Sequence, residues 1–309
     1  MVSMNNNIVV CAYHNVGYGC IQELLKQGAR IALIFTHADS PTEEIWFQSV
    51  RGLAEQHAIP CETTDINLPE NVERVRALAP AFLFSFYYRT MIKTELLALP
   101  RLGALNLHGS FLPRYRGRVP VNWAVINGES ETGATLHYMV EKPDAGDIVD
   151  QERVGILFTD TAQDVFFKVA DAAVTVIARA WPLLQQEKAP RLPMDLSAGN
   201  YCRGRTPADG RIDWNRSAVQ IYNLVRGVTH PYPGAFTYLG GKKVLIWQAW
   251  PGEGSGPPGR ILSQTPLLAA TGQGALEIRS LQLEGGQECS AEEFVMHHAM
   301  PITSFQENP

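Results

Sequence analysis

The sequence predicts an α/β protein whose first domain, residues 1–200, is a parallel sheet covered by helices and whose second, residues 207–309, is smaller and mostly β. Three observations carry this expectation. Short, nearly continuous apolar runs recur over the first two hundred residues, with segments of helical period between them. A small, polar, turn-rich stretch, "LSAGNYCRGRTPADGR" (196–211), then interrupts the chain. Beyond it the composition shifts to strand-like runs joined by glycines.

In order, "IVVCAY" (8–13), "RIALIFTH" (30–37), "AFLFSFYY" (81–88) and "GALNLHG" (103–109) read as strands. Between them "GCIQELLKQG" ends on Gly28, as a helix C-cap requires, and "PENVERVRALAP" repeats Val72, Val75 and Leu78 before Pro80 stops it. Strand, helix, strand in repetition means a parallel sheet, and strands buried on both faces are apolar throughout. "TGATLHYMV" and "GDIVDQERVGI" alternate enough to be strands, joined through "EKPDAGD". Thr159 and Asp160 read as the N-cap of a long helix that places Val165, Val169, Ala173, Val176, Ala180 and Leu184 on one face. Past the turn-rich stretch come one helical segment, "SAVQIYNLVRGV", and the strand-like "AFTYLGGKKVLIWQAW" and "PLLAATGQGALEIRSLQLEGG".

With 309 residues and 45% hydrophobic composition the chain can fill two cores. A net charge of −5 argues against a protein that grips nucleic acid or an anionic membrane through its overall field. Five scattered cysteines without a C-x-x-C pair suggest neither a disulfide framework nor a zinc site, and fit a reducing cytosol. The first residues lack a charged leader with a long apolar run, and no stretch approaches the ~18 apolar residues of a membrane span. The expectation is a cytoplasmic protein without membrane insertion.

Chemistry concentrates in "NLHGSFLPRYRGRVP" (106–120). Strand periodicity sends Asn106 and His108 to one face, opposite Leu105 and Leu107. Gly109 follows at once, so the pair belongs at the carboxyl end of a strand, where open α/β sheets leave their ligand crevice. The same pattern also suits a strand-end pair that serves only loop backbone. Asp144 in "KPDAGD" could complete a set, and equally reads as an Asx-turn residue. If the three meet, Asn106 offers amide N–H donors to an oxygen that gains charge in a tetrahedral intermediate. His108 can shuttle a proton, and Asp144 can fix its tautomer, stabilise its cation or take a proton from an attacking amine. Such a set needs no hydroxyl or thiol nucleophile and suits direct acyl transfer between two bound molecules. Arg114, Arg116 and Arg118 could pair with a carboxylate or phosphate, or decorate a surface loop. "HNVGYG" (14–19) has Gln22 where a dinucleotide fingerprint needs its third glycine, and no GKS or GKT motif occurs. No H-E-x-x-H is present, and His297 and His298 read as surface residues, so no metal is expected.

These residues resemble the signature of the 10-formyltetrahydrofolate-dependent formyltransferase superfamily, in which an N-x-H, an "SLLPxxRG"-like loop and a later D-x-G recur together. Within it the likeness is strongest to the ArnA-type module of polymyxin-resistance proteins, which formylates UDP-4-amino-4-deoxy-L-arabinose in lipid A modification. It rests on "AYHNVGYGCIQELL", "FTHADSP", "FSFYYR", "NLHGS", "YRGRVPVNW", "NGESETGATLH", "DAGDIV", "GRTPADG", "DWN" and "HPYPGAF", in order from about residue 8 to 240. The resemblance implies a Rossmann-like catalytic domain and an OB-like, barrel-like second domain. It implies Asn106, His108 and Asp144 as catalytic residues, with His108 moving the proton. Formyl-folate would lie on Thr90, Met91, Ile92, Arg118 and the loop Val140, Glu141, Lys142, Pro143 and Asp144. Arg203 and Arg205 are its candidates for the diphosphate of the UDP-aminosugar.

Two departures stand out. Phe111 replaces the usual Leu, and the chain stops at Pro309 without the NAD-dependent decarboxylase half of the fused proteins. The chain is then either a free-standing formyltransferase, with a separate decarboxylase acting in the same pathway, or one half of a bifunctional protein, and a monomer or homodimer is expected. The rival within the superfamily is methionyl-tRNA formyltransferase, which carries a basic insertion after the second strand; here "THADSPTEEIWFQS" holds Asp39, Glu43 and Glu44 and no Lys or Arg. Other nucleotide-linked aminosugars, a formyl-folate hydrolase and a non-catalytic folate binder are the remaining alternatives.

Overall fold

The structure, a computed structural model, describes residues 6–41, 44–297 and 302–308. The chain forms two compact units. One comprises residues 1–120, 131–155 and 166–203; the other takes in 121–130, 156–165 and 204–309. The two inserted stretches of the second unit are marked by no change in composition.

The first unit opens with β1 (Ile8–Ala12), α1 (His14–Lys26), β2 (Ile31–Phe35), α2 (Val50–Gln56), β3 (Cys61–Glu62), α3 (Pro69–Leu78), β4 (Phe82–Phe86), α4 (Thr94–Leu97) and β5 (Gly103–His108). After β6 (Arg116–Gly117) the chain enters the second unit for α5 (Pro120–Ile126), returns for β7 (Glu131–Tyr138) and β8 (Ile148–Gly155), and, after a second excursion that ends within the first turn of α6 (Ala162–Gln185), finishes the first unit with the rest of α6 and β9 (Tyr201–Cys202). Seven strands make one sheet in the order β3-β2-β1-β4-β5-β7-β8. The strands from β3 to β5 pair in parallel, in the Rossmann-like order, while β7 runs antiparallel to both β5 and β8. The sheet is therefore mixed at one edge, because a loop of nine residues folds β8 back on β7 without a crossover helix.

Both faces of the parallel strands are covered, which explains their nearly continuous apolar runs. Val9, Cys11, Leu33, Phe35 and Leu83 form one cluster with Val72 and Val75 of α3 and Leu96 of α4. On the other face α1 comes close enough that a Cβ on Gly17 would lie 2.9 Å from that of Ala12, and one on Gly19 would lie 2.9 Å from Val174 of α6. All six apolar residues assigned to one face of α6 are buried. Its cap lies one or two residues later than expected. Thr161 Oγ1 accepts from the Asp164 amide at 3.2 Å while the Asp164 carboxylate accepts from the Thr161 amide at 2.8 Å. Asp160 instead accepts from the Leu157 amide at 2.7 Å.

The second unit holds α7 (Ala218–Val228), strands β10 (Ala235–Leu239), β11 (Lys242–Gly252), β12 (Ile261–Gln264), β13 (Leu267–Ala270), β14 (Ala275–Leu283) and β15 (Glu288–Ser290), then α8 (Ala291–His297). All six strands pair antiparallel. The segment 302–308 closes the array. Gln306 exchanges backbone hydrogen bonds with Tyr238 of β10 at 2.8 and 2.9 Å, while Ile261 of β12 donates to the Thr303 carbonyl at 2.9 Å. Ser217 and Gln220 cap α7 reciprocally, and its buried face packs on a core with Trp214, Ile246, Leu276 and Phe305. Among the described residues no helix is long and apolar enough to cross a membrane.

Candidate active site

Asn106 and His108 lie at the carboxyl end of β5, where the strand's pleat turns both to one face. Asp144 arrives from the loop between β7 and β8, and two backbone features carry it there. A Cβ on Gly146 would sit 2.0 Å from the Tyr138 carbonyl oxygen, so only glycine lets the loop double back on the end of β7. Asp144 itself adopts φ +48°, a left-handed conformation that Asp tolerates better than most residues. The three side chains meet. Asn106 Nδ2 donates to Asp144 Oδ1 at 3.3 Å, and His108 Nδ1 lies 3.6 Å from the same oxygen.

A fourth group completes the cluster. In the antiparallel register His137 of β7 stands opposite Asn106, and Thr135 stands opposite His108. His137 Nε2 is 3.4 Å from Asp144 Oδ1 and 3.3 Å from Asn106 Nδ2, while its Nδ1 donates to the Tyr138 carbonyl at 2.9 Å. Sequence reasoning missed it. The signal was available in "TLHYMV", since period two places Thr135 and His137 on one face, but only antiparallel pairing brings that face to Asn106.

Backbone from the loop after β5 holds the set in place. His108 Nε2 donates to the Tyr115 carbonyl at 2.8 Å, and the Gly117 amide donates to Asp144 Oδ2 at 2.9 Å. A carbonyl can only accept, so Tyr115 fixes the proton on Nε2 and leaves Nδ1 as the ring nitrogen open to exchange. Of the three tasks the sequence offers Asp144, fixing the tautomer thus falls to the Tyr115 carbonyl. Gly117 is required for its position, with φ +97° and a Cβ that would stand 2.3 Å from the Cys202 carbonyl oxygen. The loop is pinned by Ser110 Oγ donating to the Arg114 carbonyl at 2.7 Å, Thr135 Oγ1 to the Ser110 carbonyl at 2.7 Å, and the Tyr115 amide to Asn200 Oδ1 at 2.6 Å.

The electrostatics centre on Asp144. Burial opposes its charge by desolvation, but His108, His137 and the Gly117 amide together hold its carboxyl well below the usual carboxylate range. An ionised carboxylate thus faces His108 Nδ1, and a proton taken up there meets a counter-charge. The 3.3 Å bonds of Asn106 are long, so its amide can be drawn to an oxygen that acquires negative charge. All five cysteines are free thiols, and burial is the first cause pushing each thiol above its ordinary range. None is a ready nucleophile.

The other expected residues fall as follows. Thr90, Met91 and Ile92 follow β4; Asn67 clamps the turn by donating to the Met91 carbonyl at 2.9 Å and accepting from the Lys93 amide at 2.9 Å. Ile92 is buried in the core, which leaves only its backbone for a ligand, whereas the Met91 side chain is 66% exposed. Val140 is 46% exposed, Glu141 and Lys142 are exposed, and Pro143 is half-buried. Arg118 is exposed, with its amide bonded to the Cys202 carbonyl at 3.0 Å. Arg203 ends the first unit, and Arg205, in the second, lies 6.0 Å from the Trp123 ring centre. Glu43 and His298 lie outside the described residues. Among those described, no group of three His, Cys, Asp or Glu is arranged to hold a metal ion.

Residues 15–181 match the family model of formyl transferases, and residues 205–299 match the formyl transferase C-terminal domain. The chain belongs to the formyl transferase family. Solved structures share the fold of this formyl transferase at low identity. An N-formyltransferase from Helicobacter canadensis, in complex with folinic acid and dTDP-3-aminofucose, is 16% identical with a TM-score of 0.70, covering 91% of this chain and 99% of its own. WlaRD, a sugar 3N-formyl transferase solved in the presence of dTDP and 5-N-formyl-THF, is 17% identical with a TM-score of 0.70, covering 93% and 98%. HypX from Aquifex aeolicus, in complex with tetrahydrofolic acid, is 17% identical with a TM-score of 0.63, and the likeness spans 97% of this chain and 51% of HypX.

Proposed function

We propose that this formyl transferase moves a formyl group from 10-formyltetrahydrofolate to the 4-amino group of a UDP-linked aminosugar, UDP-4-amino-4-deoxy-L-arabinose, in lipid A modification. The observation that carries the reading is one ionised carboxylate, Asp144, held between two imidazoles and a carboxamide at a strand's carboxyl end. Such a set can move a proton at a defined nitrogen and stabilise a carbonyl oxygen, which is what amine formylation requires.

The residues fit a formyl-folate. Met91 and Val140 leave apolar surface open on the loops after β4 and β7, suited to a flat ring, and Arg118 offers an exposed cation to an acidic tail. The bound donor would supply an activated formyl carbonyl, and the chain supplies the rest. Asn106 Nδ2 gives its hydrogens to the carbonyl oxygen as the amine adds. His108 Nδ1 carries the proton between the incoming and departing nitrogens, and Asp144 compensates its charge. With every thiol disfavoured as thiolate, transfer is direct from nitrogen to nitrogen.

A nucleotide-linked sugar acceptor is supported by two solved neighbours, a dTDP-3-aminofucose complex and a sugar 3N-formyl transferase. The choice of UDP and the 4-amino position rests on the sequence resemblance. Against tRNA stands the absence of Lys and Arg from Thr36 to Val50, where Asp39 and Glu44 would repel phosphate. The test is a panel of UDP-4-amino-4-deoxy-L-arabinose, a dTDP-linked 3-aminosugar and methionyl-tRNA with one formyl donor. The UDP-sugar should have a kcat/KM at least about tenfold above the dTDP-sugar, with no formylated tRNA. A preference for tRNA would overturn the reading.

A further inference from the structure

Among the described residues of the catalytic unit, one buried cation stands without a side-chain partner. Arg116, on β6, is 8% exposed, and its Nε is fully buried without a hydrogen bond. Among the described residues its guanidinium makes no ion pair or hydrogen bond; only its main chain is engaged, in the pairing of β6 with β9, with the amide donating to the Asn200 carbonyl at 3.1 Å. The carboxylate of the site is already engaged. Asp144 Oδ2 accepts from the Gly117 amide, and Oδ1 faces Asn106, His108 and His137. A guanidinium cannot shed its charge, and burying an unpaired ion is costly enough that folded proteins supply a counter-charge. Here none comes from the described residues. Arg114 and Arg118, two residues to either side, are exposed and need none.

The place of Arg116 indicates which anion it takes. The peptide before it gives the Tyr115 carbonyl to His108 Nε2 at 2.8 Å, and the peptide after it gives the Gly117 amide to Asp144 Oδ2 at 2.9 Å. Its guanidinium therefore lies within one arginine side chain of the groups that act on the amine. In a folate the acidic tail is separated from the formyl-bearing nitrogen by an aminobenzoyl ring and an amide. In a nucleotide-linked sugar the diphosphate is separated from the amine by one sugar ring. The shorter span fits.

We infer that Arg116 binds the diphosphate of the acceptor, so that the sugar is held at its phosphate by Arg116 and at its amine by the His108–Asp144 pair. This rests on the proposed nucleotide-sugar acceptor. It moves the diphosphate contact from Arg203 and Arg205 to a buried residue of the catalytic unit. It also explains how a sugar lacking the diphosphate would be rejected, since it would leave the buried cation unpaired.

The test uses the full chain as wild type, Arg116→Met and Arg116→Lys, with titration calorimetry and thermal melting against UDP, inorganic pyrophosphate and folinic acid. The wild type should bind UDP and gain melting temperature with it. Arg116→Met should bind UDP roughly 30- to 100-fold more weakly, bind folinic acid as the wild type does, and melt without ligand no lower than the wild type, because a buried uncompensated charge has gone. Arg116→Lys should retain part of the UDP affinity. Undiminished UDP binding by Arg116→Met, loss of folinic acid binding in its place, or a large fall in melting temperature of both variants would each overturn the assignment. A wild type that binds folinic acid but neither UDP nor pyrophosphate would overturn it too, while leaving the donor half of the proposed function standing. Failure to bind folinic acid would count against that function, and pyrophosphate alone would then decide the role of Arg116.

Discussion

Replacing Asp144 by Asn removes one negative charge and almost no volume. The new side chain keeps an oxygen for the Gly117 amide, which lies 2.9 Å from Oδ2, so the loop should stay in place. What is lost is the counter-charge to a proton on His108 Nδ1, 3.6 Å from Oδ1. At an effective dielectric of about 20, a unit charge pair at such a distance is worth roughly 4–5 kcal/mol. The two side chains are only 7% and 12% exposed, so solvent trims that value without erasing it. A loss of about 3–4 kcal/mol is expected, or roughly 10²- to 10³-fold in kcat/KM. The assay is formyl transfer measured as tetrahydrofolate appearance under subsaturating donor and acceptor. Activity of Asp144→Asn within about threefold of wild type would refute the role assigned to the carboxylate. A linked effect follows in stability. The folded carboxyl is held below its ordinary value of 3.8, so its contribution is fully present above that pH and lost as pH falls through the lower folded value. Acid melting curves of the wild type should carry this loss, and those of Asp144→Asn should lack it.

His108→Ala and Asn106→Ala should each lower turnover by about two to four powers of ten with the fold intact; full turnover in either, with native circular dichroism, would remove the mechanism. His137→Ala should reduce turnover and destabilise the fold by about 1–3 kcal/mol, since it leaves the buried Tyr138 carbonyl unpaired; chemical denaturation reads this directly. Gly117→Ala combines a positive φ with a Cβ 2.3 Å from the Cys202 carbonyl oxygen, so it should cost at least about 2 kcal/mol and release Asp144. A variant as stable and active as wild type would mean the loop is held otherwise.

Much of the fold was legible because burial on both faces leaves an unmistakable trace: β1 and β2 are apolar throughout, β4 is broken only by Ser85, β5 is apolar up to Asn106, and every residue assigned to the inner face of α6 is buried. The cap of α6 was misplaced because Thr159, Asp160 and Thr161 are all capping residue types; the carboxylate of Asp164, three residues on, selects Thr161. The short helices α2, α4 and α5 carry too few turns to show a period. At the site, Asn106 and His108 could be read from strand alternation, and Asp144 was suggested by its turn. The convergence was not readable, because it depends on β7 running against β5 and on the loop that Gly146 folds back. Nor could sequence reveal the parts played by the Tyr115 carbonyl and the Gly117 amide, since every residue has such groups. Arg116 and Arg118 look alike in "YRGRVP", and only burial separates them.

In the proposed reaction the formyl group passes directly from the donor nitrogen to the acceptor amine at the His108–Asp144 pair. Counting products with 10-formyltetrahydrofolate and UDP-4-amino-4-deoxy-L-arabinose decides whether it does. One formylated sugar should form for each tetrahydrofolate released, with no free formate and with both products falling together by about two to four powers of ten in His108→Ala. Formate released at the wild-type rate in the absence of any acceptor would contradict it.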